Sequence, residues 1–266
     1  MDKMGQQESL LNKVTQTELH EVGAGGYGEV YTSEEYKEYA VKISRGFGCS
    51  SEIRKEFRIQ QEVYENFHSE FNNDKILKYL DIVKVDEMGE LENGKCAIVM
   101  ERICPLNNPP VTELSGKTAH ALVGDYDTRI KYHGKRGIFI GNQLLGNLIS
   151  LPGLTEDLGK FMAFMHFYLK LDANDLEFII GSRCSSAKVM VFVLDFGMVE
   201  PMDEKMDVGM SLVGVPYFPI YCESDCEAEL MIKGNLVKIF WDSYIKQAET
   251  YGDYGDKARE IMKDQQ

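Results

Sequence analysis

Lys42 ends the aliphatic run Tyr39-Ala40-Val41, and a cation in that position constrains the rest of the chain more than any other residue. An unpaired ammonium costs several kcal/mol to bury, so Lys42 must either snorkel from an edge strand or meet an anion from another element. Ahead of it, Gly23-Ala24-Gly25-Gly26-Tyr27-Gly28-Glu29-Val30 places a glycine-rich turn between strand-like stretches. Short β-like runs over 19–22, 29–32 and 39–44 predict an antiparallel meander. Ser50-Ser51-Glu52 then offers an N-cap, and Ile53, Phe57, Ile59, Val63, Tyr64 and Phe67 recur near helical spacing. That helix carries two candidate counter-charges for Lys42, Glu56 and Glu62.

Further strands are expected over 76–85 and 95–100, around a turn at Gly89 and Gly94, with Pro105, Pro109 and Pro110 closing the segment. Two helices follow, over about 136–149 and 155–168. Thr155-Glu156-Asp157 reads as the cap of the second, with Leu158, Phe161, Met162, Met165 and His166 on its apolar side. Runs over 178–180 and 189–194 read as a hairpin joined by a loop over 182–188, and a last helix is expected over 225–249. The organisation so read is a flexible lead-in over 1–16, a first lobe over 17–104, a second over 105–250 and a polar tail over 251–266.

A chain of 266 residues with 44% hydrophobic content can bury a substantial core. Its formal charge of −14 argues against nucleic acid or an anionic membrane surface as the main partner. No apolar run is long enough to span a bilayer, and the N-terminus lacks the apolar core of a signal peptide, so a soluble, intracellular protein is expected. On that basis the six cysteines are expected to be reduced. Cys222 and Cys226 would share a helical face, but a zinc site needs two further ligands and none of suitable spacing lies nearby. Arg129, Lys131, His133, Lys135 and Arg136 form a basic island that reads as a solvated loop or as a patch for an anionic ligand.

Four segments together point to phosphate chemistry. The glycine-rich turn fits G-x-G-x-x-G-x-V, in which backbone amides approach phosphate oxygens and Val30 covers a base. A strand follows it rather than a helix, which disfavours the dinucleotide-binding version. Lys42 can pair with the same phosphates. Asp172-Ala173-Asn174-Asp175-Leu176-Glu177 leads into Phe178-Ile179-Ile180, with Glu177 five positions after Asp172; by itself this reads as an N-capping acidic loop sooner than as a catalytic one. Asp195-Phe196-Gly197 ends an apolar strand, where an Asp either initiates a turn or holds a divalent cation.

In that order, over about 17–203, these segments resemble a divergent member of the protein-kinase-like superfamily. A closer resemblance is to an uncharacterised, mainly fungal kinase-like domain family often labelled zinc-finger protein. It rests on Lys55-Glu56-Phe57-Arg58, Met100-Glu101-Arg102-Ile103-Cys104-Pro105-Leu106, the run from Leu171 to Gly181, Leu194-Asp195-Phe196 and Pro216-Tyr217-Phe218-Pro219. The resemblance implies an α+β, two-lobed protein-kinase-like fold, with a small antiparallel-sheet N-lobe bearing one helix and a reduced, mainly helical C-lobe. It implies ATP and Mg2+ as cofactors and an unknown protein or small molecule as phosphate acceptor.

By the same resemblance, Gly23, Gly25 and Gly28 lie over the phosphates, Lys42 binds them, and Glu56 holds Lys42. Val30, Ala40, Glu101 and Ile103 surround the adenine, Asp172 serves as base, and Glu177 and Asp195 are the metal ligands. Three departures stand out: Glu177 occupies the place of an Asn, Lys170-Leu171 replaces His-Arg before Asp172, and no Ala-Pro-Glu follows Gly197. They leave two alternatives to a working kinase: a pseudokinase that binds nucleotide or a partner without chemistry, and a small-molecule phosphotransferase of the aminoglycoside-kinase type.

Overall fold

The computed structural model describes residues 8–24, 28–71, 77–104, 130–131, 149–173, 176–202 and 227–264. Gly25, the predicted helix over 136–149, Cys222, Cys226, the 216–219 segment and the side chains of the basic island lie outside that description, as does the side chain of Glu177.

The chain is a mixed α/β structure built on two sheets. In the first, β1 (His20–Ala24), β2 (Gly28–Thr32), β3 (Tyr39–Phe47), β5 (Val85–Glu90) and β6 (Lys95–Glu101) run antiparallel in the order β1-β2-β3-β6-β5. β3 therefore lies centrally, between β2 and β6, which puts Lys42 in the interior of the sheet rather than on an edge. Helix α2 (Ser51–Glu70) follows, with the Ser50 hydroxyl accepting the Ile53 N–H. It buries Glu56, Ile59, Gln60, Val63 and Phe67 along one side, as the apolar spacing predicts.

The second sheet runs β4 (Leu80–Ile82), β10 (Met190–Leu194), β9 (Glu177–Arg183), β7 (Ile103–Cys104), with β8 (Ile130–Lys131) also pairing β9. The β9–β10 hairpin is antiparallel, whereas β4 joins β10 in parallel. Helix α3 (Leu151–Ala163), continued as a π-helical turn over Phe164–Leu169, packs against helix α4 (Glu227–Glu249). A methyl group on Gly159 would come within 2.5 Å of the Phe240 carbonyl oxygen, so this close helix contact requires glycine. Phe67, Phe71, Phe161 and Phe164 form an aromatic cluster in the main core, joining α2 to α3.

Three local expectations are corrected. The lead-in contains helix α1 (Leu10–Thr15), which buries Leu11 and Val14 against Val41, Ala97 and Val99; a helix of six residues is too short for a periodic signal. Helix α3 starts at Leu151 with Ser150 as its cap. Thr155 is instead fully buried, and Asp157 accepts the Tyr79 N–H at 2.7 Å. The polar tail forms helix α5 (Tyr254–Asp264), which buries Ala258 and Ile261 in the main core.

The expectation of reduced thiols is overturned as well. Cys49 is bonded to Cys96 and Cys104 to Cys184. Residues far apart in sequence become neighbours through strand pairing, which the spacing of the cysteines does not disclose. Among the described residues, no helix is long and apolar enough to cross a membrane.

Candidate functional site

Lys42, Glu56 and Asp195 converge from three separate elements. Strand β3 presents Lys42, which lies in register with Val30 on β2 and Ile98 on β6. Its ammonium is 2.5 Å from Glu56 Oε1 and 3.7 Å from Asp195 Oδ1. Glu56 rather than Glu62 takes the counter-charge position, because the buried stripe of α2 includes Glu56 and leaves Glu62 at the surface. The Lys42 and Glu56 side chains are 17% and 7% exposed, so water screens this pair little. Asp195 is 30% exposed, which leaves its carboxylate accessible to a ligand.

The backbone around Asp195 explains how it reaches that place. Asp195 has φ 61°, a left-handed conformation that costs a non-glycine residue about 1–2 kcal/mol. Surrounding contacts hold it there: Val193 on one side and Phe196 on the other are fully buried. Strain of this kind concentrates at functional positions. Gly197 lies beside both carboxylates, since a Cβ there would stand in ordinary contact, 3.4 Å from Asp195 Oδ1 and 3.7 Å from Glu56 Oε2.

Glu177 starts β9 directly opposite Leu194, the residue before Asp195. Directly paired Cα atoms in an antiparallel ladder lie about 4.5–5.5 Å apart, so the hairpin brings Glu177 and Asp195 to the same end. Among the described residues, no three His, Cys, Asp or Glu side chains cluster as a ready metal site.

Asp172 is buried, 5% exposed, and tied to the segment after Gly197. Its N–H donates to the Glu200 carbonyl at 2.9 Å, and its Oδ1 accepts the Glu200 N–H at 2.8 Å. The π-helical turn and Lys170, at φ 58°, reverse the chain so that Leu171 bridges to Pro201. Asp172 thus closes a loop onto the strand exit that carries Asp195.

The residues expected around a base fall on one apolar wall. Val30, Ile103, Ile179 and Leu194 pack against a cluster containing Ala40 and Met100. Gly23 pairs with Val30 on the neighbouring strand, and Gly28 approaches β3 so closely that a Cβ would meet the Ile43 oxygen at 2.7 Å. Glu101 is engaged structurally: its N–H donates to the Lys84 carbonyl and its Oε1 accepts from Arg183 Nε at 2.7 Å. The other oxygen, Oε2, is buried with no hydrogen-bond partner among the described residues.

Sequence reading missed the charged network next to this wall. Arg183 Nη1 donates to Asp81 Oδ2 at 2.7 Å, and His68 Nε2 lies 3.2 Å from Asp81 Oδ1. Burial opposes ionisation of Asp81, but the bonds from His68 and Arg183 outweigh it and hold the carboxyl below the usual carboxylate range. Burial likewise opposes charge on His68, and the bonds to Asp81 and the Tyr64 carbonyl overcome it and raise its pKa. None of these residues has a motif around it; only the fold brings α2, β4 and β9 together.

No protein-family model matches the sequence, and no curated protein is similar to it. Among solved structures, the chain is similar to the GDP complex of a point mutant of aminoglycoside 2'-phosphotransferase-IIIa, at 10% identity and a TM-score of 0.28, over 93% of this chain and 91% of that one. The GDP complex of the wild-type enzyme is similar at 10% identity and a TM-score of 0.27, over 94% and 92% of the two chains. Scores this low carry no argument about fold or activity.

Proposed function

We propose that this chain is a two-lobed, kinase-like protein that binds ATP with Mg2+ between its two sheets and transfers the γ-phosphoryl group to a hydroxyl of an acceptor. The observation carrying this reading is the convergence of Lys42, Glu56 and Asp195, one cation and two carboxylates from three elements, with a strained backbone at Asp195. Val30, Ala40, Met100, Ile103 and Leu194 offer the apolar wall a purine ring needs.

In this reading Glu56 orients the Lys42 ammonium toward phosphate oxygens, and Asp195 and Glu177 would hold Mg2+. The donor chemistry fits, because Mg2+ takes hard carboxylate oxygens, one or two from the protein, and fills the remaining positions with water and phosphate. When bound, the ion would neutralise charge on the phosphates. Glu177 in place of an Asn adds a negative charge, which suits a site whose ligand brings its own cation. Asp172, anchored by the Glu200 N–H, is the candidate to orient the acceptor hydroxyl.

The burial of Asp172 and its double hydrogen bond to Glu200 favour a second reading, a pseudokinase in which this residue is a loop anchor and no transfer occurs. The deciding experiment is transfer of labelled phosphate from ATP by wild type and by Asp195→Asn, beside calorimetric ATP titration with and without Mg2+. Mg2+-dependent binding and transfer, both lost in Asp195→Asn, support the kinase reading. Mg2+-indifferent binding without transfer supports the pseudokinase, and no ATP binding at all removes the kinase and any nucleotide-binding pseudokinase.

A further inference from the structure

Strand β6 ends in the first sheet at Glu101, and β7 (Ile103–Cys104) then pairs with β9 in the second, so this short strand is where the chain crosses between the sheets. Its ladder is brief: Ile103 opposes Arg183 and Cys104 opposes Ser182. β7 passes over Gly181 so closely that a Cβ there would meet Ile103 Cγ2 at 2.5 Å and the Cys104 carbonyl oxygen at 2.7 Å. Gly181 thus contributes no side chain to hold β7, and Ile103 is only partly buried, against the cluster containing Ala40 and Met100. A ladder this short is marginal without further restraint.

The disulfide Cys104–Cys184 fastens this crossing. Cys184 is exposed in the hairpin loop that follows β9, and Cys104 is partly exposed, so a dissolved thiol reaches the bond. The Cys49–Cys96 disulfide differs, since Cys96 is 1% exposed in β6, flanked by β3 and β5. Exposed disulfides are the labile ones, because exchange needs access of a thiolate to a sulfur. When the bond opens, the Arg183–Glu101 ion pair, at 2.7 Å and with side chains 27% and 21% exposed, still ties β9 to the end of β6. The two sulfurs are thereby kept near enough to close again, and the main core, which contains neither cysteine, is untouched.

We propose that Cys104–Cys184 is a redox-sensitive clasp on the crossing between the sheets: closed, it holds β7 and Ile103 in place, and opened by a small thiol, it frees them. A thiolate attacks the exposed Cys184 sulfur, the Cys104 sulfur leaves and takes a proton, and a second thiol group displaces Cys184 from the mixed disulfide. The two electrons come from the attacking thiols, which end as a disulfide themselves. The consequence for ligand binding rests on the nucleotide reading, in which Ile103 is part of the wall for the base; the closed clasp favours binding by keeping that wall preorganised.

The full chain is given timed pulses of dithiothreitol, quenched with iodoacetamide and read peptide by peptide by mass spectrometry, with hydrogen exchange followed on the same samples. Cys104 and Cys184 should become alkylated about ten-fold faster than Cys49 and Cys96. In the selectively reduced protein the amides over 102–104 and 182–184 should exchange about ten-fold faster, with those of β10 and α3 unchanged. Equal or reversed order of reduction, unchanged exchange over those segments, or loss of protection throughout the chain overturns the clasp, and none of these measurements involves nucleotide. Calorimetric titration with ATP then reads the consequence: affinity should fall about three-fold on selective reduction, and equally in the double variant Cys104→Ser/Cys184→Ser, on which reductant should have no further effect. Unchanged affinity in reduced protein that shows the faster exchange overturns the coupling to the site. Absence of ATP binding in the oxidised protein removes the nucleotide reading and leaves the clasp to be decided by the exchange result. Should the double variant not fold, the selectively reduced wild type decides alone.

Discussion

Replacing Glu56 by Gln, Lys42 by Met, and both together measures how far the two side chains depend on each other. The pair is nearly dry, at 17% and 7% exposure and 2.5 Å separation, so surface screening does not reduce its worth to a few tenths of a kcal/mol. Removing one partner of such a pair typically costs about 3–5 kcal/mol, since the remaining charge stays desolvated. Asp195 at 3.7 Å continues to face Lys42 in Glu56→Gln, which places that variant at the lower end, about 3 kcal/mol. Lys42→Met leaves two carboxylates, Glu56 and Asp195, without their shared ammonium and should cost somewhat more. The double variant removes the mismatch, so its loss should fall short of the sum of the singles by about 2–3 kcal/mol.

Urea unfolding followed by circular dichroism and by fluorescence gives these energies. Trp241 is the chain's single tryptophan and is 3% exposed in α4, which makes it a clean reporter of global unfolding. Single losses below about 1 kcal/mol, or singles that add to the double within about 0.5 kcal/mol, would refute the argument. The pair would then not be the buried, coupled unit described, and the nucleotide site would lose its organising cation.

Three further outcomes are expected. Burial pushes His166, whose Nδ1 lies 2.9 Å from the Tyr244 hydroxyl, down to about 3. Between that value and about 6.5 the unfolded chain binds the extra proton, so stability falls with pH in this window; wild type should lose about 2 kcal/mol more than His166→Gln between pH 7.5 and pH 5, measured by urea unfolding. Gly159→Ala should lose about 1–3 kcal/mol in the same assay, because the Phe240 carbonyl 2.5 Å from the new methyl is backbone and cannot swing aside. Cys184→Ser opens a link spanning 80 residues and should cost about 4 kcal/mol under non-reducing conditions, with reductant lowering the Tm of wild type toward that of the variant.

Much of the first sheet was readable because its determinants are local. Glycines around 23–28, β-branched runs and a serine cap before a periodic apolar stripe act over a few residues. The caps of α3 and the helices α1 and α5 were misread for the complementary reason. Thr155 and Asp157 resemble capping residues by type, yet Asp157 serves the Tyr79 N–H from another element. α1 and α5 are short, and they are held in place by the few apolar side chains they bury in cores built elsewhere.

For the candidate site, residue types and order were legible: a lysine in an aliphatic strand requires an anion, and an Asp before Phe-Gly at a strand end has carboxylate oxygens to offer. Burial energy makes the first of those demands regardless of the fold. Which anion answered was a tertiary matter. Glu56 rather than Glu62 meets Lys42 because α2 packs with Glu56 inward, and Asp195 joins them because the β9–β10 hairpin ends beside that helix. The Asp172–Glu200 anchor, the two disulfides and the His68–Asp81–Arg183 network depend on contacts between residues distant in sequence. Such contacts arise only when loop-closure entropy is overcome by a core assembled from many elements at once, and no spacing along the chain records them.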